Sequence, residues 1–208
     1  MISDVRNTDC LELMKEFPDK FFEIAIVDPP YGLPKDSGNG RGKLKNRTFN
    51  KGHISDWDVV PTKEYWDELF RVSKNQIIWG GNFFDLPPNR CFIVWYKPNI
   101  PEQFSMAMAE YAWCSFNDNA KVIQCSSSRK GECYHPTQKP VELYSWILRQ
   151  YAKPGYKILD THLGTGSSRI AAHDAGYDFI GFEIDPQYYE AQERRFSDYA
   201  SQLSLFHG

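Results

Sequence analysis

The stretch Lys157-Ile158-Leu159-Asp160-Thr161-His162-Leu163-Gly164-Thr165-Gly166-Ser167-Ser168 decides the fold: four strand-like residues, a Gly-x-Gly turn and the start of a helix. Glycines in such a turn let the backbone approach a ligand closely, and the following helix presents free N–H groups at its N-terminus. About twenty residues on, the apolar run Phe179–Phe182 closes at Glu183, where an acidic side chain grips ribose hydroxyls in nucleotide-binding α/β folds. The third glycine of the dinucleotide fingerprint is missing, with Arg169 in its place. A nucleoside cofactor without a pyrophosphate therefore fits better than a nicotinamide dinucleotide, and no residue stands out for hydride chemistry.

Working outward, short β-branched and aromatic runs recur at Ile2–Val5, Glu23–Asp28, Gln76–Gly80, Phe92–Tyr96, Glu110–Ser115, Lys157–Asp160 and Phe179–Asp185. Each is nearly continuous in apolar character, as in strands buried on both faces. Between several of them lie helix-period segments. Leu11, Leu13, Met14 and Phe17 form one face; Tyr65, Trp66, Leu69, Phe70 and Val72 form another after Thr62 as N-cap. Pro140 to Tyr151 carries the stripe Val141, Tyr144, Ile147, Leu148 and Tyr151, and a last helix starts at Asp185-Pro186. Strands alternating with helices predict an α/β fold, a doubly wound, mostly parallel sheet of seven strands in one domain over residues 1–208. With 41% hydrophobic residues the chain has enough apolar matter for a real core.

No apolar run approaches the roughly 18 residues that span a bilayer, and charges at Asp4, Arg6 and Asp9 interrupt any signal-peptide core, so the chain reads as cytoplasmic with no membrane partner. The five cysteines show no repeated spacing, which suits reduced thiols. Cys125, Cys133 and His135 lie close in sequence but lack the fourth ligand of a structural zinc site, so no metal is expected. The net charge of −3 by itself argues against nucleic acid. Residues 34–53, however, hold six cations (Lys35, Arg41, Lys43, Lys45, Arg47, Lys51) against Asp36, a local +5 that leaves −8 on the rest of the chain. A second long loop, 116–134, holds Arg129 and Lys130. Loops of this length in a compact domain are functional or disordered.

The second site candidate is Asp28-Pro29-Pro30-Tyr31-Gly32, directly after the apolar run Ile24–Val27. In an open α/β sheet the ligand crevice lies at the carboxyl ends of the strands, where this carboxylate, stiff Pro-Pro and aromatic ring would make a pocket for a flat polar group. Taken with the glycine turn, the tetrad resembles the S-adenosylmethionine-dependent amino-methyltransferases that act on DNA bases. The tetrad precedes the cofactor glycines, as in the circularly permuted β group of that family, and the likeness covers nearly the whole chain. His135-Pro136-Thr137-Gln138-Lys139-Pro140 is similar to the family's His-Pro-Thr-x-Lys-Pro segment beside the methionine part of the cofactor, and Asn7-Thr8-Asp9-Cys10 to the segment whose Asp contacts the adenine. One departure is Asp160-Thr161-His162, where the family has Asp-Pro-Phe.

The resemblance implies a SAM-dependent enzyme that methylates the N6 amine of an adenine flipped from double-stranded DNA. Asp rather than Ser at position 28 leans towards adenine; cytosine N4 is the alternative, and a DNA-binding module without turnover a further one. It implies a catalytic role for Asp28, Pro29, Pro30 and Tyr31, and cofactor contacts from Asp9, Cys10, Asp28, Thr137, Lys139, Asp160, Thr161, Leu163, Gly164, Gly166, Ser167, Glu183 and Ile184. DNA contacts fall to the basic residues of loops 34–53 and 116–134, and a homodimer would extend them. The chemistry is a direct displacement: Asp28 and the Pro29 carbonyl accept the amine hydrogens, driving the nitrogen lone pair towards the methyl, while Tyr31 stacks on the base. None of the thirteen prolines precedes a cysteine, so the Pro-Cys nucleophile of cytosine C5 methyltransferases is absent. His162 reads as a packing or capping residue, Trp79, Trp95, Trp113 and Trp146 as core, and Gly80-Gly81-Asn82-Phe83-Phe84 either as an ordinary turn or as a family loop near the target pocket.

Overall fold

The structure is a computed structural model that describes residues 1–32, 59–104, 106–127 and 138–206, apart from the side chains of 203–206. Its strands are β1 (Ser3–Asn7), β2 (Phe22–Val27), β3 (Ser73–Trp79), β4 (Phe92–Tyr96), β5 (Ala109–Cys114), β6 (Lys121–Gln124), β7 (Lys157–Asp160) and β8 (Asp178–Glu183). They form one sheet in the order β1-β8-β7-β2-β3-β5-β4-β6. All neighbours are parallel except β5, which runs antiparallel to both β3 and β4. The described residues thus give eight strands where the sequence predicts seven. The extra strand is β6, an edge strand with only Ile123 buried among its four residues, so no apolar run marks it.

Among the described residues five helices cover the faces: α1 (Cys10–Met14), α2 (Lys63–Val72), α3 (Val141–Tyr151), α4 (Ser167–Asp174) and α5 (Pro186–Phe206). Their starts follow local chemistry. Thr62 Oγ1 accepts from Tyr65 N at 3.3 Å to cap α2, and Asp185 Oδ1 accepts from Gln187 N at 2.8 Å ahead of α5, with Pro186 at its first position. Pro140 sits at the N-cap of α3 rather than inside it, and Leu143 joins Tyr144, Ile147, Leu148 and Tyr151 on the buried face, leaving Val141 at its margin.

Strand residues alternate between two cores, because successive side chains leave opposite faces of a sheet. Ile24 and Ile26 of β2 pack with α3 residues such as Ile147, whereas Ala25 and Val27 pack with α1 and α2 through Met14, Leu69 and Val72. Seven strands run the same way, so their C-terminal ends share one edge. Asp28, Gly80, Lys97, Thr161 and the Glu183-Ile184 step all leave the sheet there, and β5 enters there at Glu110. Residues 116–120 lie at the opposite edge, beside the start of β4, with Asn89 Nδ2 donating to Cys114 O and Phe116 O. The loop predicted over 116–134 is therefore divided: 121–124 form β6, and the chain is back at the Asp28 edge only from Cys125. The connection 97–108 sits at that edge instead, tied by Lys97 N to Met108 O at 2.8 Å and presenting exposed Phe104 and Met106.

Candidate active site

Two walls of one cavity of about 630 Å³ come from motifs far apart in the chain. The first is Asp28 to Tyr31, carried out of the sheet by β2, which is buried at every position but Glu23. Both carboxylate oxygens of Asp28 are engaged: Tyr31 donates its hydroxyl to Oδ1 at 2.6 Å, and the Lys139 ammonium donates to Oδ2. Burial, then Asp28, push the Tyr31 phenol far up, so it stays a proton donor. Its ring stacks on Phe83 with centroids 4.8 Å apart and the planes at 19°, and meets Phe84 edge-on at 6.0 Å. Gly80 makes room for that ring. Its φ is +66°, and a Cβ there would fall 2.2 Å from a Tyr31 ring carbon. The Gly80-to-Phe84 segment is thus a 3-10 turn packed on the tetrad rather than an ordinary turn.

Lys139, with a side chain only 4% exposed, also lies 3.3 Å from Glu110, and Glu110 pairs in turn with Lys97. Burial alone would lower the Lys139 ammonium, but Asp28 and Glu110 outweigh it and hold it above its ordinary value. Burial alone would raise the Glu110 carboxyl; Lys139 and Lys97 outweigh it and hold it down. The result is an alternating chain of charges, Asp28, Lys139, Glu110, Lys97, drawn from β2, the approach to α3, β5 and the end of β4.

The second wall is the glycine turn. Gly164 and Gly166 have φ of +54° and +74°, a left-handed backbone that favours glycine. Glu183 faces the cavity while its Oε2 accepts from Gly164 N at 2.8 Å and its Oε1 from Asp185 N at 2.9 Å; burial pushes its carboxyl up to about 7. Asp160 is also pushed up to about 7 by burial, and ties the turn together by accepting from Ser168 Oγ at 2.5 Å and His162 N at 3.0 Å. His162 lines the cavity; it is desolvated, its pKa pushed down to about 4, and its Nδ1 lies 2.9 Å from Thr161 Oγ1, so its ring is neutral at physiological pH. Burial pushes the Cys10 thiol up to about 12, which leaves no thiolate nucleophile there. Arg169, which displaces the third glycine, turns away to bond Ser3, Gln192 and Glu193.

Among the residues the sequence assigns to the cofactor, Asp9, Cys10, Asp28, Lys139 and Thr161 line the cavity. So do Leu163, Gly164, Ser167, Glu183 and Ile184. Asp160 and Gly166 support the turn from behind, and the Lys139 ammonium is turned to Asp28 and Glu110. Thr137, the zinc candidates Cys133 and His135, and the basic residues Lys35, Arg41, Lys43, Lys45, Arg47, Lys51, Arg129 and Lys130 lie outside the described residues. Sequence reasoning missed Glu110, Lys97 and the role of Phe83. The available signal was a charged residue at the mouth of an apolar strand: Glu110 opens one, and Lys97 follows another.

A mostly parallel α/β sheet with the Asp28-Pro29-Pro30-Tyr31 tetrad and a glycine turn on one cavity is the framework of this protein. The sequence profile of the DNA methylase family matches residues 61–194, and the chain belongs to that family. It is 25% identical to the type II methyltransferase M.HinfI of Haemophilus influenzae, across 93% of this chain and 69% of that one. Among solved structures, the complex of M1.HpyAVI with SAM superposes with a TM-score of 0.61 at 18% identity, covering 94% of this chain and all of that one. The cytosine-N4-specific PvuII DNA methyltransferase gives 0.65 at 16% identity, covering 94% and 87%.

Proposed function

We propose that this DNA methylase transfers the methyl group of S-adenosylmethionine to the exocyclic N6 amine of an adenine turned out of double-stranded DNA, within a single methyltransferase domain. The observation that carries the reading is the shared cavity: the Asp28 tetrad on one wall, the glycine turn and Glu183 on the other. The residues present fit the cofactor. Glu183 has one backbone amide on each oxygen, which leaves a further lone pair on each for ribose hydroxyls, and left-handed Gly164 presents its backbone to the cavity. Ile184, exposed at the rim, and Asp9, which caps α1 through Leu11 N at 2.8 Å, are suited to the flat face and the polar edge of an adenine.

Bound there, S-adenosylmethionine supplies an electrophilic methyl on a sulfonium. The protein's part is positioning and electrostatics. Asp28, held by Tyr31 and Lys139, keeps lone pairs to accept one amine hydrogen, and the Pro29 carbonyl accepts the other. The nitrogen is thereby drawn towards a tetrahedral geometry with its lone pair free, and Asp28 would take up the proton released as the N–C bond forms and the methyl–sulfur bond breaks, with S-adenosylhomocysteine as the leaving group. Neutral His162 and the protonated Cys10 thiol have no part in a direct displacement. The basic residues of 34–53 and Arg129 and Lys130 are assigned to DNA phosphates, and a homodimer would double that contact. The cytosine-N4 alternative is kept by the likeness to the PvuII enzyme. Digesting DNA treated with the protein and S-adenosylmethionine to nucleosides, followed by mass spectrometry, separates the readings. N6-methyladenine is expected; N4-methylcytosine refutes the choice of base, and unmodified DNA refutes turnover.

A further inference from the structure

The charge chain behind Asp28 is larger than an acceptor carboxylate needs. Lys139 is nearly fully buried, its ammonium 5.1 Å from the Trp79 ring centroid, and it has two anionic partners on different strands. Lys97 is as buried as Lys139, lies 4.6 Å from the Trp95 ring centroid, and is fixed by its backbone bond to Met108. Trp95 and Glu110 are register partners across the β4–β5 pair, so Lys97 and Glu110 meet where that pair opens onto the cavity. A buried ammonium facing one carboxylate would sit wholly on it and weaken it as a hydrogen-bond acceptor. A second carboxylate on the far side draws part of that field away and fixes the ammonium's direction.

We propose that Glu110 is a positioning residue for methyl transfer: with Lys97 behind it, it holds Lys139 in the one place where that ammonium anchors Asp28 and leaves the carboxylate free to accept the target amine hydrogen. Glu110 acts through Lys139 rather than on the methyl donor, and Lys97 acts through Glu110. The inference rests on the methyl-transfer reading of the cavity. It predicts that the two outer charges matter for turnover and not for loading the site.

The test uses the full chain and its variants Glu110→Gln, Lys97→Met and the double variant. Methyl transfer to DNA is measured at saturating S-adenosylmethionine, and S-adenosylhomocysteine binding by calorimetry. Glu110→Gln is expected to lower kcat at least tenfold while KM for both substrates and Kd for S-adenosylhomocysteine stay within threefold. Lys97→Met is expected to lower kcat about threefold, and the double variant to lose no more than Glu110→Gln, because residues acting in series are not additive. Retained ligand binding shows that the variants are folded. If kcat of Glu110→Gln stays within twofold of wild type, if ligand binding falls as much as turnover, or if the two losses add, the proposal is overturned. A wild-type protein that binds S-adenosylhomocysteine but methylates no DNA overturns the methyl-transfer reading and this inference with it. An active wild type with an unaltered Glu110→Gln overturns this inference alone.

Discussion

Replacing Glu183 with glutamine should make the ligand-free protein more stable at alkaline pH while weakening its grip on the cofactor. Glu183 is 8% exposed, and burial moves its carboxyl from 4.5 up to about 7. A carboxyl raised in the folded state binds its proton more tightly there than in the unfolded chain. Its contribution to stability is therefore complete below about pH 4.5 and is lost as pH rises through about 7. At 1.36 kcal/mol per pKa unit, the charged carboxylate costs the fold about 3 kcal/mol at pH 8. Glutamine escapes that cost. It gives up one of the two backbone amides, from Gly164 or Asp185, which costs about 1 kcal/mol at every pH. Glu183→Gln should thus be less stable than wild type by about 1 kcal/mol near pH 4.5 and more stable by about 2 kcal/mol at pH 8. The swing of about 3 kcal/mol corresponds to roughly 6–12 °C in Tm for a domain of this size. Asp160, also raised to about 7, repels the Glu183 charge, so removing that charge eases Asp160 as well and acts in the same direction at pH 8. Urea denaturation without ligand at the two pH values reads the difference. A stability gap that does not change between them would show that no charge cost resides at Glu183. Calorimetry at pH 8 should find S-adenosylhomocysteine bound at least tenfold more weakly, the exchange of stability for function expected of a binding carboxylate.

Asp28→Ala should abolish methyl transfer while S-adenosylhomocysteine binding, read by thermal shift, is largely kept; substantial residual activity would place the amine acceptor elsewhere. Gly80→Ala puts a Cβ 2.2 Å from the Tyr31 ring at a φ of +66°, so it should cost at least about 1–3 kcal/mol and lower kcat by displacing Tyr31; denaturation and kinetics check it. Replacing Lys43, Lys45 and Arg47 with neutral residues should weaken DNA binding and lower the slope of log K against log salt by roughly 0.9 for each phosphate no longer neutralised. An unchanged slope would assign that segment another role.

What could be read from the sequence is what depends on neighbours in the chain. The apolar runs became β1 to β5, β7 and β8 with ends shifted by a few residues, and Thr62 and Asp185 cap the helices they precede. The glycine turn, Glu183 and the Asp28 tetrad were legible because each is a short motif at a strand end. β6 was not, since an edge strand with one buried side chain carries no apolar signal. The antiparallel course of β5 was also hidden, because an apolar run has no direction. With it went Glu110: only the reversed strand brings that residue to the cavity edge, and a parallel β5 would have placed it at the far one. The same reversal sends 116–120 away from Asp28 and leaves 97–108 beside it.

Strand adjacency also explains why the order of motifs along the chain does not matter to the site. Asp28 and Asp160 are separated by 132 positions, yet β2 and β7 are parallel neighbours, with Ile24 opposite Ile158 and Ala25 opposite Leu159. That register carries the two strands out of the sheet side by side, so the tetrad and the glycine turn must open onto the same space whichever is synthesised first. β8 on the far side of β7 delivers Glu183, and β3 on the far side of β2 delivers Gly80 and the turn that packs Phe83 on Tyr31. The site is therefore a property of four adjacent strands. A one-residue slip of β2 against β7 would exchange the residues of β2 between the two cores, burying Ile24 and Ile26 where Ala25 and Val27 now fit, and would turn Asp28 away from the cavity. Packing and the shape of the cavity fix the same register, which is why side chains as apolar as Ile24 and Ile158 decide where the Asp28 carboxylate stands.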